Sequence, residues 1–261
     1  MRTLQPYTGI TDFTHPEQVQ RMLAVFQKLL PQGSSRRLHV GVMMSRKTLN
    51  GEETKWSKVF PANHEISTIF FSEETYNCLH YADYGVPSDE HLSENLTKAI
   101  EWCGASIHAL QLDMTWPEPF QIAETLSNIP RKIEVILQIG EKSFEQIGPN
   151  MDDFVRKLDE YEGIVHRVLL DKSMGKGKPL DANFILPYAR TVKRLFPGMG
   201  IGVAGGLGPK SMDLILPFLS EFPGISIDAQ GQLRPSGDNF KEPIHWSMAR
   251  DYLAASFVYL S

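Results

Sequence analysis

Gly200-Ile201-Gly202-Val203-Ala204-Gly205-Gly206-Leu207-Gly208-Pro209 is the stretch on which the reading of this chain turns. A short run with apolar, β-branched residues, closed by a glycine pair and then a proline, describes a strand that delivers its backbone into a tight turn ahead of a helix. The same grammar recurs on either side. Val168-Leu169-Leu170-Asp171 is an apolar run ending on a carboxylate, and Ile227-Asp228-Ala229-Gln230-Gly231-Gln232 is a run ending in a glycine turn. Working outward, strands are predicted at 4–9, 38–44, 67–71, 108–113, 132–139, 165–171, 200–204 and 225–228.

Helical periodicity fills the gaps between them. Val19, Met22, Leu23, Phe26, Leu29 and Leu30 recur at three- and four-residue spacing, with Pro16 at the start and Pro31-Gln32-Gly33 as the stop. Ile185, Leu186, Ala189, Val192 and Leu195 repeat the pattern after Asp181, and a further helix is predicted to begin near Pro209, shortened by Pro217. The last helix spans roughly 243–259. Strand followed by helix, eight times over 261 residues, predicts an α/β chain folded as one (β/α)8 TIM-barrel domain covering 1–261. Enlarged loops are expected after strands 2 and 3, at 45–63 and 76–88.

Composition bounds the function. Twenty-six Lys plus Arg against 31 Asp plus Glu, a net charge of −5, gives no basic field for nucleic acid. No apolar run reaches the roughly 18 residues of a membrane span, and the start of the chain lacks the apolar core of a secretion signal, so cytoplasm is the expected location. Oligomeric state is left open. Cys78 and Cys103 have no Cys-x-x-Cys spacing, which argues against a disulfide framework or a cysteine zinc site. Cys78 is expected in the irregular insert and Cys103 at a helix end. His15, His64, His80, His91, His108, His166 and His245 show no metal-ligand spacing. Neither a metal nor a cofactor is predicted.

In a barrel of this class the chemistry lies at the C-terminal ends of the strands, with phosphate lodged after strands 7 and 8. Backbone N–H groups around Gly205, Gly206, Gln230 and Gly231 therefore form the candidate phosphate cradle, with the helix near Pro209 aiming its positive end the same way. Asp171 ends an apolar strand, where partial burial suits a proton donor. The Gly175-Lys176-Gly177-Lys178 loop is cationic and glycine-rich, which suits Lys178 to an anionic ligand. Arg46, after strand 2, offers a bidentate fork for a carboxylate, and Gln111 and Asp113 stand at the end of strand 4.

These stretches resemble the phosphoribosylanthranilate isomerase family of tryptophan biosynthesis. The likeness is carried by Leu169-Leu170-Asp171, Gly175-Lys176-Gly177-Lys178 with Asp181, Ile185-Leu186-Pro187-Tyr188, Ala204-Gly205-Gly206-Leu207-Gly208-Pro209 and Ile227-Asp228. It continues more weakly through Leu110-Gln111-Leu112-Asp113 and Tyr7-Thr8-Gly9-Ile10-Thr11. About a quarter of the chain is covered well. The resemblance implies a cofactor-free Amadori rearrangement of a phosphorylated N-glycoside. An acid, at the position of Asp171, opens the ribose ring, and a base removes the proton from C2. The chain departs from the family at three points. Thr8 stands where the family has a catalytic cysteine, Asp113 stands in place of a histidine, and Ala229 and Gln230 replace serines. A threonine hydroxyl does not supply the anion that a thiol does, so Asp113 is the candidate replacement base. The alternatives are a phosphosugar-binding barrel without isomerase activity, and a repurposed barrel with other chemistry such as a lyase using Lys176 or Lys178.

Overall fold

Eight parallel strands close on themselves in sequence order. They are β1 (Tyr7–Thr11), β2 (Arg37–Ser45), β3 (Tyr76–Asp83), β4 (Ala109–Met114), β5 (Glu134–Gly140), β6 (Arg167–Asp171), β7 (Gly200–Ala204) and β8 (Ser226–Ala229). β8 returns to pair with β1 through Thr8 opposite Ile227, so the sheet has no open edge. The computed structural model describes residues 4–55, 59–83, 90–173, 179–237 and 242–260.

The helices follow from the periodicity read above. α1 (Pro16–Leu29) buries Val19, Met22 and Phe26. Two short helices, α2 (Arg46–Leu49) and α3 (Ile66–Ile69), lie in the β2–β3 connection, and α4 (Leu92–Trp102), α5 (Pro119–Asn128), α6 (Glu141–Ile147) and α7 (Met151–Asp159) follow. α8 (Ala182–Leu195) is capped by Asp181, whose carboxylate accepts the Phe184 N–H at 3.2 Å and satisfies a helix-end donor. α9 (Leu216–Leu219) and α10 (Trp246–Tyr259) complete the ring. Among the described residues no helix is long and apolar enough to cross a membrane.

Four expectations are corrected. The run at 67–71 is not a strand: its first residues belong to α3, and the third strand is Tyr76–Asp83, inside what read as an insert. The reason is physical. β3 carries His80 and Asp83 toward the mouth and Asn77 at its opposite end, where the amide donates to the Ser72 and Ser106 carbonyls, so it loses the look of a buried apolar strand. The long connection is therefore the one after β2. Cys78 lies within β3, not in an irregular segment. The helix expected near Pro209 is replaced by a 3-10 turn (Met212–Ile215) running into α9, each four residues long. Pro217, in the first turn of α9, removes a donor that a longer helix would need.

Two layers of packing result. The larger apolar cluster lies between the strands and the helices, and a smaller one fills the barrel with Tyr7, Tyr76, Cys78, Ala109, Ile136 and Leu169, together with Ala204. At the N-terminal end of the barrel the buried Arg167 donates to Ser226 Oγ at 3.1 Å and to the Gln5 carbonyl at 3.0 Å, and it lies 3.5 Å from Glu134. Tyr76 donates its hydroxyl proton to the same Glu134 carboxylate at 2.5 Å. These polar contacts seal the bottom, and the C-terminal end is the one that opens.

Candidate active site

A cavity of about 770 Å³ occupies the C-terminal mouth of the barrel, within the range of small-molecule sites. It collects most of the residues singled out from sequence: Asp171, Asp113, Gln111 and Arg46, together with Gly205, Gly206, Gln230 and Gly231. Lys178 lies outside the described residues.

Thr8 is not among the lining residues. Alternation along β1 explains why: Tyr7 belongs to the interior cluster, and a Cβ on Gly9 would sit 2.3 Å from Asp228 Oδ1, so Tyr7, Gly9 and Thr11 face inward. Thr8 points to the helix layer instead, where its hydroxyl is buried without a hydrogen-bond partner. The β1 side chain that reaches the cavity is Thr11.

Thr11 leads to the carboxylate that sequence reasoning quoted but did not assign. Its Oγ1 lies 2.9 and 3.1 Å from the two oxygens of Asp228, donating to both. Asp228 is buried, and that burial raises its pKa from 3.8 to about 7. The Thr11 hydrogen bond opposes the rise, and the negative charges of Asp171 and Asp12 add to it. A side chain that exchanges its proton near neutrality is what acid–base chemistry needs.

Asp171, on β6, is held differently. Its Oδ1 accepts the Ser173 N–H at 2.9 Å and the Ser173 hydroxyl at 2.6 Å, and its Oδ2 accepts from Gln138 Nε2 at 3.3 Å. Asp113, on β4, is half-buried in the cavity wall, paired in register with Ala82. Asp113, Asp171 and Asp228 thus reach the mouth from alternate strands, β4, β6 and β8, with β5 supplying Gln138 between two of them, while Asp83 at the end of β3 also lines the cavity.

A buried hydrogen-bond chain runs from Asp171 into the barrel. Gln111 Nε2 donates to Gln138 Oε1 at 2.8 Å and to His80 Nδ1 at 3.2 Å. His80 therefore carries its proton on Nε2 and donates it to His39 Nε2, 3.0 Å away. His39 is left with its proton on Nδ1, which is buried and has no partner. Burial depresses both imidazoles, His80 to about 3 and His39 well below its ordinary value, so the pair is neutral. The Cys78 thiol is pushed well up by burial, with Asp228 contributing, and it is the third member of a buried cluster in which one ligand atom from each of His39, Cys78 and His80 lies within 4.8 Å of the others.

The glycine turn is formed as expected from the strand-ending pair. Gly205 has φ 121° and Gly206 φ 62°, both in the region that favours glycine. The two phosphate-side loops touch closely, since a Cβ on Gly208 would lie 2.7 Å from Gln232 Cβ. With no regular helix starting behind the turn, any anion there is held by loop N–H groups alone. The Gln230 amide is already committed, donating to both Asp12 oxygens at 3.1 and 3.0 Å. The buried Arg234 pairs with Asp12 and donates to the carbonyls of Gln230 and Glu242 at 2.8 and 2.7 Å. This latch ties the β1 loop to the β8 loop. Asp12 itself takes φ 87°, a conformation costly outside glycine that the latch sustains.

On the opposite wall, the β2 connection contributes Arg46, Lys47, Lys55 and Phe60. Arg46 Nε lies 3.1 Å from Asp83 Oδ2, an ion pair that sets the guanidinium at the rim. The cavity is therefore cationic on the β2 side, carboxylate-rich in its floor and lined by backbone on the β7–β8 side.

No protein-family profile matches the chain, and no curated protein sequence does. Solved structures do. The tryptophan synthase alpha chain of Legionella pneumophila subsp. pneumophila matches with a TM-score of 0.53 at 9% identity, covering 98% of this chain and 91% of that one. A spore coat polysaccharide biosynthesis protein E of Chromobacterium violaceum ATCC 12472 matches with a TM-score of 0.56 at 13% identity, covering 98% and 75%. The likeness is one of fold. At these identities it carries the (β/α)8 barrel and nothing of substrate or chemistry.

The residues that sequence reasoning missed are Thr11, His39, His80, Gln138, Ser173 and Asp228. The signal for Asp228 was available, because it alternates with the outward-facing Ile227 and Ala229 and so must point into the barrel. His80 was hidden by the misplaced third strand, and no local motif marks His39.

Proposed function

We propose that the chain is an acid–base isomerase of a phosphorylated sugar derivative, working at the mouth of the barrel, with an Amadori-type aldose-to-ketose rearrangement as its reaction. The observation that carries this reading is the pair Asp171 and Asp228. The two carboxylates share one cavity and feel each other's charge, and one of them titrates near pH 7. In the rearrangement the Asp171–Asp228 pair holds one proton between its two carboxyls; with that proton on Asp171 and Asp228 ionised, Asp171 protonates the ring oxygen and opens the ring to an iminium. Asp228 then removes the proton from C2, giving the enol that becomes the ketose. Proton gain and loss balance within the substrate, so no redox partner is needed.

Substrate orientation follows from the walls. The phosphate is assigned to the N–H groups of Gly205, Gly206 and Gly231, and the other half of the substrate faces Arg46 and Lys47. Asp228 replaces Asp113 as the base in this reading, because Asp228 is buried and held by Thr11 whereas Asp113 is half-buried; Asp113 is left to position the substrate.

The test is turnover of an aminoaldose phosphate by Asp171→Asn, Asp228→Asn and Asp113→Asn proteins, beside binding of inorganic phosphate. The expected result is turnover reduced by at least about 100-fold in the first two with phosphate binding retained. Turnover surviving both changes sinks the proposal. Phosphosugar binding without product in the wild-type protein favours a barrel that binds and does not catalyse.

A further inference from the structure

We propose that His39, Cys78 and His80 form a binding site for a zinc-class cation, set in the floor of the cavity with one coordination position open toward it. This goes beyond the isomerase reading and does not depend on it, because it concerns the barrel core and is tested with metal alone.

The donor set is the first argument. Two imidazoles and one thiolate suit a borderline-soft ion of tetrahedral preference, and three protein ligands with one open position is the pattern of zinc sites that act on ligands. Among the described residues these three side chains bring one ligand atom each within 4.8 Å of one another. The two Nε2 atoms are 3.0 Å apart, close to the roughly 3.3 Å that two bonds of ~2.0–2.1 Å subtend at a tetrahedral centre. A side-chain rotation brings the sulfur in to about 3.6 Å from each nitrogen, the spacing set by a Zn–S bond of about 2.3 Å.

Access and charge supply the second argument. His80 lines the cavity, whereas His39 and Cys78 lie beneath it, so an ion enters from the mouth and presents its open position there. His39 already has its Nε2 lone pair turned toward the cluster, as the hydrogen-bond chain requires. The positive charge left by a divalent ion on one thiolate is met by Asp228. Its Oδ1 and His39 Nδ1 lie 2.3 and 3.1 Å from a single point, the position a Cβ on Gly9 would take.

Of the ten buried side-chain polar atoms without a hydrogen-bond partner among the described residues, His39 Nδ1 and Gln111 Oε1 belong to the cluster and to the amide beside it. Metal binding uses the second. The cation displaces the Cys78 thiol proton to solvent, and the His80 proton moves from Nε2 to Nδ1. Gln111 turns its Oε1 to accept that proton and Gln138 turns with it, so that Gln138 Oε1 faces Asp171 Oδ2; Asp171 takes up one proton from solvent there and donates it to Gln138, which keeps the chain paired. Gln111 is then the outer group that orients a metal-bound histidine.

The experiment titrates metal-stripped full-length protein with Co2+, followed by Zn2+ competition. One equivalent of Co2+ is expected to give intense visible ligand-field bands and a thiolate-to-cobalt charge-transfer band in the near ultraviolet, both abolished by Zn2+. Cys78→Ser is expected to lose the charge-transfer band, and Cys103→Ser, at the other buried cysteine, to keep it. His80→Asn is expected to weaken Zn2+ binding by at least about tenfold. Failure of folded wild-type protein to take up stoichiometric metal overturns the proposal, as does a charge-transfer band that persists in Cys78→Ser. Should Cys78→Ser not fold, zinc-edge X-ray absorption on the wild-type protein decides. One sulfur and two imidazole nitrogens support the site, and a sulfur-free shell overturns it.

Discussion

Replacing Asp228 by asparagine keeps the shape of the side chain and one of the two oxygens that accept from Thr11, and removes the capacity to ionise. In the folded protein burial lifts this carboxyl from 3.8 to about 7, so between those values the native state holds a proton that the unfolded state has released. Stability therefore falls as pH rises through that window and is level above it. At ~1.4 kcal/mol per pH unit the full displacement costs the native protein about 4 kcal/mol at neutral and alkaline pH, and about 1.5 kcal/mol at roughly pH 5. Asp228→Asn escapes this cost. The variant is expected to be more stable than the wild type at about pH 9, with the difference about 3 kcal/mol larger there than at about pH 5. Urea denaturation of both proteins at the two pH values measures it, and the difference between variant and wild type cancels every other titrating group. Thr11→Val gives the opposite arm. Loss of a hydrogen bond to a charged group, ~1.5–3 kcal/mol, raises the Asp228 pKa further, so the fall in stability continues to higher pH and its total is larger. Equal stability differences at both pH values would refute the assignment of a near-neutral proton to Asp228. A protein that carries an ionisation cost of this size at neutral pH is retaining the group for a reason other than folding.

Two further outcomes are expected. Gly205→Ala forces a side chain into φ 121°, against Ser173 and Asp171 Oδ1 at 3.4 and 3.5 Å, whereas Gly206→Ala needs only the left-handed φ of 62°. The first is expected to lose more stability than the second, which costs about 1–2 kcal/mol, and phosphate affinity measured by calorimetry should fall in both. Arg234→Ala leaves the Asp12 carboxylate without its buried partner and is expected to cost about 3 kcal/mol in denaturation; a loss under about 0.5 kcal/mol would remove the latch from the account.

The sequence by itself determined the barrel. Eight short apolar runs separated by helical periodicity leave few ways to bury both faces of a parallel sheet, and Asp171, Gly205 and Gly206 were legible because strand ends are where such a barrel exposes reacting groups. What local pattern could not decide was which way each side chain faces. A one-residue choice of parity turned Thr8 out to the helices and brought in Thr11. The third strand was misplaced because its mouth-facing residues, with His80 among them, are polar, and that error hid Cys78 as well. His39, Cys78 and His80 come from two strands whose chain separation carries no spacing signature, and only the β2–β3 register brings them together. Asp228 needed the closed barrel for its chemistry: its near-neutral proton comes from burial and from the charges of Asp171 and Asp12, quantities that exist only once the strands have closed around it.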